Sequence, residues 1–211
     1  MLFRSKSKSD FIQYLKDEIT LAYGDNPEVS PDYARIINAK NWSRLVGMIE
    51  ETKVLFGGQY NSETNYISPT LIDESNLESL IMQEEIFGPL LPVIAYRNLD
   101  EVIAHINKGH KPLALYIYSH KNANIDKVLS KTVSGGACVN HALMQFLHGN
   151  LPFGGINNSG IGNAHGHYGF KAFSHERAVV RTQFSLAVTL FKAGEVPLLI
   201  RKALKSAFKI L

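Results

Sequence analysis

The sequence contains very little cysteine, since Cys138 is the only one in 211 residues. A single cysteine cannot form an internal disulfide, and without a Cys-x-x-Cys pair the chain cannot hold zinc or an iron–sulfur cluster through thiolates. The residues after Met1 lack the apolar stretch of a secretory signal, and no run approaches the roughly 20 apolar residues that span a bilayer. These absences predict a cytoplasmic protein in a reducing compartment.

The sequence also has little net charge. Its 22 Lys and Arg residues face 19 Asp and Glu residues, which leaves a formal charge of +3. Much of this excess lies in the last dozen residues, and the remainder of the chain is close to neutral. A protein that binds nucleic acid usually carries a basic patch. We therefore expect no nucleic-acid partner.

The hydrophobic periodicity predicts an α/β fold. Helical spacing covers residues 10–23, 41–50, 99–107 and 124–131, and apolar strand-like runs cover 54–56, 66–72, 91–96, 113–119, 136–140 and 177–181. The alternation of strands and helices over residues 91–140 is typical of a parallel sheet with right-handed crossovers. Pro69 favours an edge or a bend within its strand. The predicted architecture is a parallel, or mixed, sheet with flanking helices.

An unusual string, Gln-Glu-Glu-Ile-Phe-Gly-Pro, occupies residues 83–89. Composition alone favours a helix end, with Glu84 and Glu85 in solvent and Phe87 in the core. The same residues suit a dinucleotide site, because a carboxylate accepts hydrogen bonds from a ribose diol and an aromatic ring packs against a planar one. Both interpretations are open at this point.

Two glycine-rich stretches follow. Ser-Gly-Gly-Ala-Cys-Val-Asn occupies residues 134–140, and Pro-Phe-Gly-Gly occupies 152–155, with Asn-Ser-Gly behind it at 158–160. Glycines permit positive φ and close approach of the backbone. Phosphate binding is poorly indicated, because no Gly-x-Gly-x-x-Gly lies between a strand and a helix and no Lys-Ser/Thr follows the glycines.

Other catalytic patterns are weak. His165 and His167, with His148 nearby, lack the i, i+4 spacing and the carboxylate partner of a zinc site, so we interpret them as loop histidines and expect no metal. Glu84 and Glu85 would diverge on a helix, which does not suit the paired carboxylates of glycoside hydrolysis.

Taken together and in order, the motifs at residues 83–89, 134–140 and 152–160 resemble the C-terminal half of the aldehyde dehydrogenase superfamily. The resemblance is greatest to the class 3 branch, which includes fatty aldehyde dehydrogenases. Supporting strings lie at residues 23–27, 30–38, 66–71, 111–116 and 173–175. The resemblance implies that residues 1–182 are part of a catalytic domain, with an oligomerisation strand near 176–182. Residues 183–211 form an unmatched basic amphipathic tail.

The resemblance also implies roles for individual residues. Glu85 would bind the ribose hydroxyls in the nicotinamide half of NAD or NADP, and Phe87 would pack beside that half. Phe153 would line the aldehyde tunnel near the reacting centre. Asn140 could shape the substrate pocket, although a structural hydrogen bond is at least as good an interpretation.

The expected nucleophile is not among these residues. In this family a cysteine thiolate attacks the aldehyde, hydride passes to NAD(P), and a glutamate-activated water releases the acid. That cysteine is expected in a Gly-Gln-x-Cys-like segment a few residues before Met1, with the general base and the Rossmann domain further upstream. Cys138 lies in a predicted buried strand, where burial favours an inert thiol. We therefore expect a truncated C-terminal portion with no catalytic residue, inactive alone.

A second function remains open. The chain could be a non-catalytic module that pairs with an intact subunit or with an N-terminal half, and we expect it either to form a homo-oligomer or to associate with such a half. The run at residues 177–181 would then be an edge strand that pairs with a partner.

The tail from Val196 to Leu211 is predicted to form a basic amphipathic helix. Its apolar face holds Ile200, Leu204, Ala207, Phe208 and Leu211, and its basic face holds Arg201, Lys202, Lys205 and Lys209. Such a helix can lie in a membrane surface or pack on the protein body. The resemblance favours peripheral membrane contact, because class 3 relatives often carry a C-terminal anchor.

We predict that this tail, fused to a soluble reporter, floats with anionic vesicles, because its basic face is attracted to acidic headgroups while its apolar face enters the interface. Vesicle flotation measures this. A reporter that stays at the bottom of the gradient would favour packing of the tail on the protein body.

Overall fold

The computed structural model describes residues 1–74, 76–181, 202–203 and 205–206. In chain order, the strands are β1 Leu2–Arg4, β2 Lys53–Phe56, β3 Tyr60–Asn61, β4 Tyr66–Ile67, β5 Thr70–Asp73, β6 Leu90–Tyr96, β7 Ala114–Ile117 and β8 Gly136–Val139. The α-helices are α1 Lys8–Tyr23, α2 Ala39–Glu50, α3 Leu80–Gln83, α4 Leu99–Lys108, α5 Asn122–Lys131, α6 Met144–Leu147 and α7 Gly166–Ala172. Short 3₁₀ turns occupy Ser5–Ser7, Pro27–Val29 and Asn157–Ser159.

The main sheet is mixed, with strand order β1-β6-β5-β2. Strands β1, β6 and β5 run parallel, and β2 pairs with β5 in the antiparallel sense. Thr70, Leu71 and Ile72 of β5 are all buried, which is typical of a strand covered on both faces. The predicted α/β class, with a mixed sheet and flanking helices, is therefore confirmed.

The three strands predicted over residues 91–140 do not share one sheet. β6 belongs to the main sheet, whereas β7 and β8 form a separate parallel pair that α5 connects. The physical reason is that β1 and β5 occupy the two edges of β6. No edge of β6 is left for β7.

Pro69 lies between two short strands, β4 and β5. The predicted strand at 66–72 is divided into β4, which pairs with β3, and β5, which pairs with β2 and β6. Proline has no N–H to donate to a sheet ladder, so a break at this position is expected. The bend predicted from the sequence is confirmed.

Helix α2 packs its apolar face on the main sheet. The side chain of Asn38 caps its first turn by accepting a hydrogen bond from the Asn41 N–H at 2.9 Å. The resulting cluster contains Leu45, Val46, Met48, Ile49, Ile67, Ile72, Ile81 and Leu90. Trp42 lies at its margin, and its indole N–H donates to the Tyr66 carbonyl at 2.9 Å. This packing fixes α2 relative to β5 and β6.

A second cluster supports β7 and β8. It joins Ile103 of α4, Ile117 of β7, and Ile125 and Val128 of α5. The two helices are also joined by an ion pair between Lys127 and Asp100, at 2.7 Å. The hydrogen bond from Lys127 lowers the pKa of the Asp100 carboxyl. The β7–β8 pair therefore has an apolar core of its own.

The C-terminal segment carries two predictions that stay predictions. Residues 177–181 are exposed and form no strand in this structure, so the strand predicted there from the apolar run is not observed, while its role in oligomerisation stays a prediction. The tail predicted at 183–211 lies outside the described residues except for four positions. Within the described part of the chain, no helix is both long and apolar enough to span a bilayer.

We predict a large difference between two matched leucine substitutions. Leu71 in β5 is 2% exposed and Leu21 in α1 is 81% exposed. Leu71→Ala should lower the free energy of unfolding by about 2–5 kcal/mol, because it leaves a cavity in the sheet. Leu21→Ala should change it by less than about 0.5 kcal/mol. Urea denaturation measures both, and equal losses would contradict the assigned core.

Candidate functional site

The loop between α3 and β6 is held by Arg44, which projects from α2. The Nη2 atom of Arg44 donates to the Ile86 carbonyl at 2.7 Å. Its Nη1 atom donates to the Glu85 carbonyl and to Oε2 of Glu84, both at 3.4 Å. Arg44 thus contacts three consecutive loop residues.

The neighbouring residue of α2 contacts the other end of the same loop. A Cβ at Gly88 would lie 2.5 Å from Cδ1 of Leu45, a core residue with no exposed surface. Only glycine lets the loop backbone approach α2 so closely. One residue later the Pro89 carbonyl accepts the Thr70 N–H at 2.8 Å and leads into β6.

Phe87 lies between these two contacts in a strained conformation. Its φ is 44°, and the side chain is 78% exposed. A bulky residue at positive φ costs free energy, and such strain persists only where surrounding contacts impose it. The interpretation that places Phe87 in the core is therefore wrong. Ile86 packs against the core instead.

Glu84 and Glu85 have different environments. Glu84 forms the ion pair with Arg44. Glu85 is exposed, and among the described residues none binds its carboxylate. The predicted coenzyme residues Glu85 and Phe87 therefore share one exposed loop, as a free carboxylate next to an unburied ring.

An open cavity of about 680 Å³ adjoins Phe87. Arg35, Arg44 and Tyr33 are among its lining residues. The Tyr33 hydroxyl donates to the Ile67 carbonyl at 2.7 Å, and burial raises the pKa of this phenol above its ordinary value. Tyr33 is therefore a protonated hydrogen-bond donor and is not suited to act as a base.

Phe153, the predicted tunnel residue, belongs to an aromatic cluster. Its ring stacks on His165 with a centroid separation of 5.2 Å, and it meets Phe146 edge-on at 5.0 Å. Backbone hydrogen bonds between Phe153 and Ala164, at 2.7 and 3.2 Å, hold the two segments together. The orientation of Phe153 is therefore set from two sides.

The two glycine-rich stretches pack directly on each other. A Cβ at Gly135 would overlap the carbonyl oxygens of Gly154 and Leu113, and a Cβ at Gly154 would overlap that of Gly162. Glycine at these positions lets backbone pack on backbone, so the structural interpretation of these motifs applies. This packing attaches the loop that carries Phe153 to the β7–β8 pair.

Asn140 connects the ends of β7 and β8. Its Oδ1 accepts the Ser119 N–H at 2.8 Å, and its Nδ2 donates to the Ser119 carbonyl at 3.1 Å. Its own N–H donates to the Ile117 carbonyl at 2.8 Å. The side-chain amide is thus used in a structural hydrogen bond, one of the two roles considered for it. Its role in substrate binding stays a prediction.

Cys138 lies within β8 opposite Tyr116 and is half-buried. Successive strand residues alternate between faces, so Cys138 shares a face with Gly136, which packs against Gln145 of α6. The strand is less buried than predicted, because Ala137 and Val139 are exposed.

Backbone strain is concentrated near the predicted site residues. Among the described residues, six other than glycine have positive φ, and three of them are asparagines, which tolerate it. The other three are Phe87, Leu143 and His165, with φ of 44°, 65° and 71°. Phe87 lies two residues after Glu85, Leu143 lies three residues after Asn140, and His165 stacks on Phe153.

Sequence reasoning missed Arg44, Phe146 and His165. Nothing in the sequence indicates that Arg44 contacts the loop, because an arginine on an amphipathic helix is typical of a solvated face. The sequence predicts His165 to be a loop histidine without a specific role, whereas its ring packs on Phe153. The described residues contain no group of three His, Cys, Asp or Glu side chains arranged to hold a metal.

Comparison with known proteins gives concordant results. A sequence model described as the aldehyde dehydrogenase family matches residues 1–179. Aldehyde dehydrogenase family 3 member A2 of Rattus norvegicus is 44% identical over 177 residues, which are 84% of this chain and 37% of that protein. The 4,4'-diaponeurosporen-aldehyde dehydrogenase of Staphylococcus aureus is 40% identical over 182 residues, 85% of this chain and 40% of that protein.

Solved structures agree. The substrate-bound state of Staphylococcus aureus AldH superposes with a TM-score of 0.86 at 37% identity, covering 98% of this chain and 45% of that one. Lactaldehyde dehydrogenase from Escherichia coli superposes with a TM-score of 0.71 at 27% identity, covering 82% and 37%. The chain thus spans less than half the length of these relatives. Since the family model covers residues 1–179 of 211, the chain belongs to the aldehyde dehydrogenase family, with family 3 members among its curated relatives.

Proposed function

We propose that this chain contributes the nicotinamide-ribose side of the coenzyme site, and one wall of the aldehyde tunnel, to an NAD(P)-dependent aldehyde dehydrogenase. The observation that carries the proposal is the loop after α3. There Arg44 forms an ion pair with Glu84, while the Glu85 carboxylate beside the exposed Phe87 has no partner within the described part of the chain.

The residues of this loop suit the coenzyme. A carboxylate without a protein partner can accept hydrogen bonds from both hydroxyls of a ribose, and an exposed aromatic ring can pack beside the attached base. The coenzyme, when bound, supplies the hydride acceptor of the reaction. Glu85 and Phe87 would orient its nicotinamide half and do no covalent chemistry themselves.

The tunnel wall suits an apolar aldehyde, including a fatty one. Phe153 is held between Phe146 and His165, and the two phenyl rings present hydrocarbon surface. Leu143 and Leu147 nearby are exposed. Apolar surface of this kind stabilises an alkyl chain by removing it from water.

The proposal assigns the covalent step to a residue outside this chain. Cys138 is the only cysteine in the sequence, and it lies in a strand on the face that α6 covers. The remaining portion of the family fold would supply the thiolate, whether it belongs to the same polypeptide or to a second one.

A second candidate is a non-catalytic assembly module, either a homo-oligomer or a partner of an N-terminal half. Large apolar side chains after β8 are strongly exposed, among them Leu147, Ile161, Phe170, Phe173 and Val180. Exposed apolar surface of this extent marks an interaction site. Size exclusion after co-expression with the N-terminal segment of a relative tests this candidate, and separate elution of the two chains would count against it.

Glu85 and Glu84 provide a matched test of the coenzyme site. The enzyme for this test joins the segment of the rat family 3 member A2 protein that precedes the matched region to this chain. Glu85→Gln should lower kcat/KM for NAD roughly 10- to 100-fold, because it weakens two charge-assisted hydrogen bonds. Glu84→Gln should have little effect, because the new amide oxygen can still accept a hydrogen bond from Arg44 and the carboxylate of Glu84 is turned to that partner. Steady-state formation of reduced coenzyme measures both, and equal losses would contradict the assignment.

Cys138 provides the second test. The isolated chain should form no reduced coenzyme from any aldehyde, because a thiol held within β8 cannot replace the nucleophile. Cys138→Ser in the joined enzyme should leave turnover unchanged. Turnover by the isolated chain that disappears in Cys138→Ser would overturn the proposed division of roles.

A further inference from the structure

We propose that Arg44 is a positioning residue that selects Glu85, rather than Glu84, as the coenzyme-binding carboxylate. This inference rests on the proposed function, because it concerns the same loop. Arg44 itself does not touch the coenzyme. It acts through the loop backbone and through Glu84.

The contacts of the guanidinium define the loop in three places. Nη2 donates to the Ile86 carbonyl at 2.7 Å, while Nη1 lies 3.4 Å from both the Glu85 carbonyl and Oε2 of Glu84. A guanidinium is a rigid planar fork with five N–H donors, so contacts to several acceptors fix their relative positions. The Arg44 side chain is 28% exposed, which limits competition from water.

The backbone at Glu84 explains the selection. Glu84 follows α3 with φ −109° and ψ 155°, which is an extended conformation. Side chains of successive residues in extended backbone point to opposite sides. Because Glu84 points toward Arg44, Glu85 points away from it and stays exposed.

The selection also depends on Leu45. This residue contacts Gly88 from the same turn of α2, so the loop is held on both sides of Phe87. Phe87 has a φ of 44°, a conformation that relaxes readily unless its neighbours are fixed. Without the guanidinium, the segment before Phe87 is released, and both Glu85 and the ring lose their positions.

The rival explanation is that Arg44 merely stabilises the attachment of the loop to α2. Lys127 provides the control. It forms an ion pair with Asp100 at 2.7 Å between α5 and α4, beside the cluster that supports β7 and β8. Lys127→Gln should therefore reproduce the general loss of a side-chain ion pair without moving the coenzyme loop.

The experiment uses the full 211-residue chain, labelled with ¹⁵N, in five forms: unmodified, Arg44→Gln, Arg44→Lys, Lys127→Gln and Glu85→Gln. Three quantities are measured for each: the urea midpoint, amide hydrogen exchange at residues 85–87, and binding of nicotinamide mononucleotide by chemical-shift titration. This probe carries the ribose that Glu85 is proposed to bind and needs no adenosine site.

Arg44→Gln should accelerate exchange at residues 85–87 at least about tenfold and weaken nicotinamide mononucleotide binding to a similar degree. Arg44→Lys should restore only part of the exchange protection and only part of the binding, because one ammonium group cannot reproduce the planar guanidinium and its several donors. Lys127→Gln should leave loop exchange and binding as in the unmodified chain. If Arg44→Gln fails to fold, the same comparison of Arg44→Lys with Lys127→Gln tests the selection.

The two proposals fail in different ways. If Glu85→Gln abolishes binding while both Arg44 variants bind and exchange as the unmodified chain does, the selection by Arg44 is overturned and the coenzyme site stands. If Glu85→Gln binds as well as the unmodified chain, or the unmodified chain does not bind, the coenzyme site itself is overturned, and the selection falls with it.

Discussion

The packing of α2 on the main sheet is the constraint on which the candidate coenzyme site depends. The apolar face of this helix is buried against β5 and β6, so the two residues that contact the loop, Arg44 and Leu45, have fixed positions. One donates hydrogen bonds to the start of the loop, and the other limits the approach of Gly88. Core packing and site geometry are therefore two consequences of the same helix.

The tunnel wall is built differently. Its position depends on close packing of backbone at Gly135 and Gly154, where any side chain would overlap a carbonyl oxygen. Aromatic stacking of Phe153 on His165 then fixes the ring. The loop proposed to bind the coenzyme is held by the Arg44 guanidinium, whereas the loop proposed to line the tunnel needs positions 135 and 154 to lack even a methyl group. A substitution that damages one wall need not disturb the other.

The sequence predicts local structure well where one physical effect dominates. The periodicity of α2 and the missing N–H of Pro69 both have the expected consequences. The sheet partner of β6 could not be predicted, because edge occupancy depends on β1, which lies about ninety residues earlier. The exposure of Phe87 could not be predicted from the sequence either, because its hydrophobicity favours burial. Its strained φ depends on contacts between the loop and α2, which the sequence does not reveal. Arg44 shows the same limit: its partners lie forty residues away.

The distribution of strain connects these observations to function. Phe87 and His165 each have a positive φ that costs free energy. Contacts within this chain, of Arg44 with the loop before Phe87 and of Phe153 with His165, maintain these conformations. Strain that is imposed by the chain itself does not require a ligand to create it. The two proposed walls are thus preorganised, and preorganisation would lower the entropy lost when a ligand binds. The thiolate has no such counterpart here, because the only cysteine forms part of a strand. Under the proposed function, this chain would set the binding geometry for coenzyme and aldehyde, while the rest of the family fold would supply the bond-forming group.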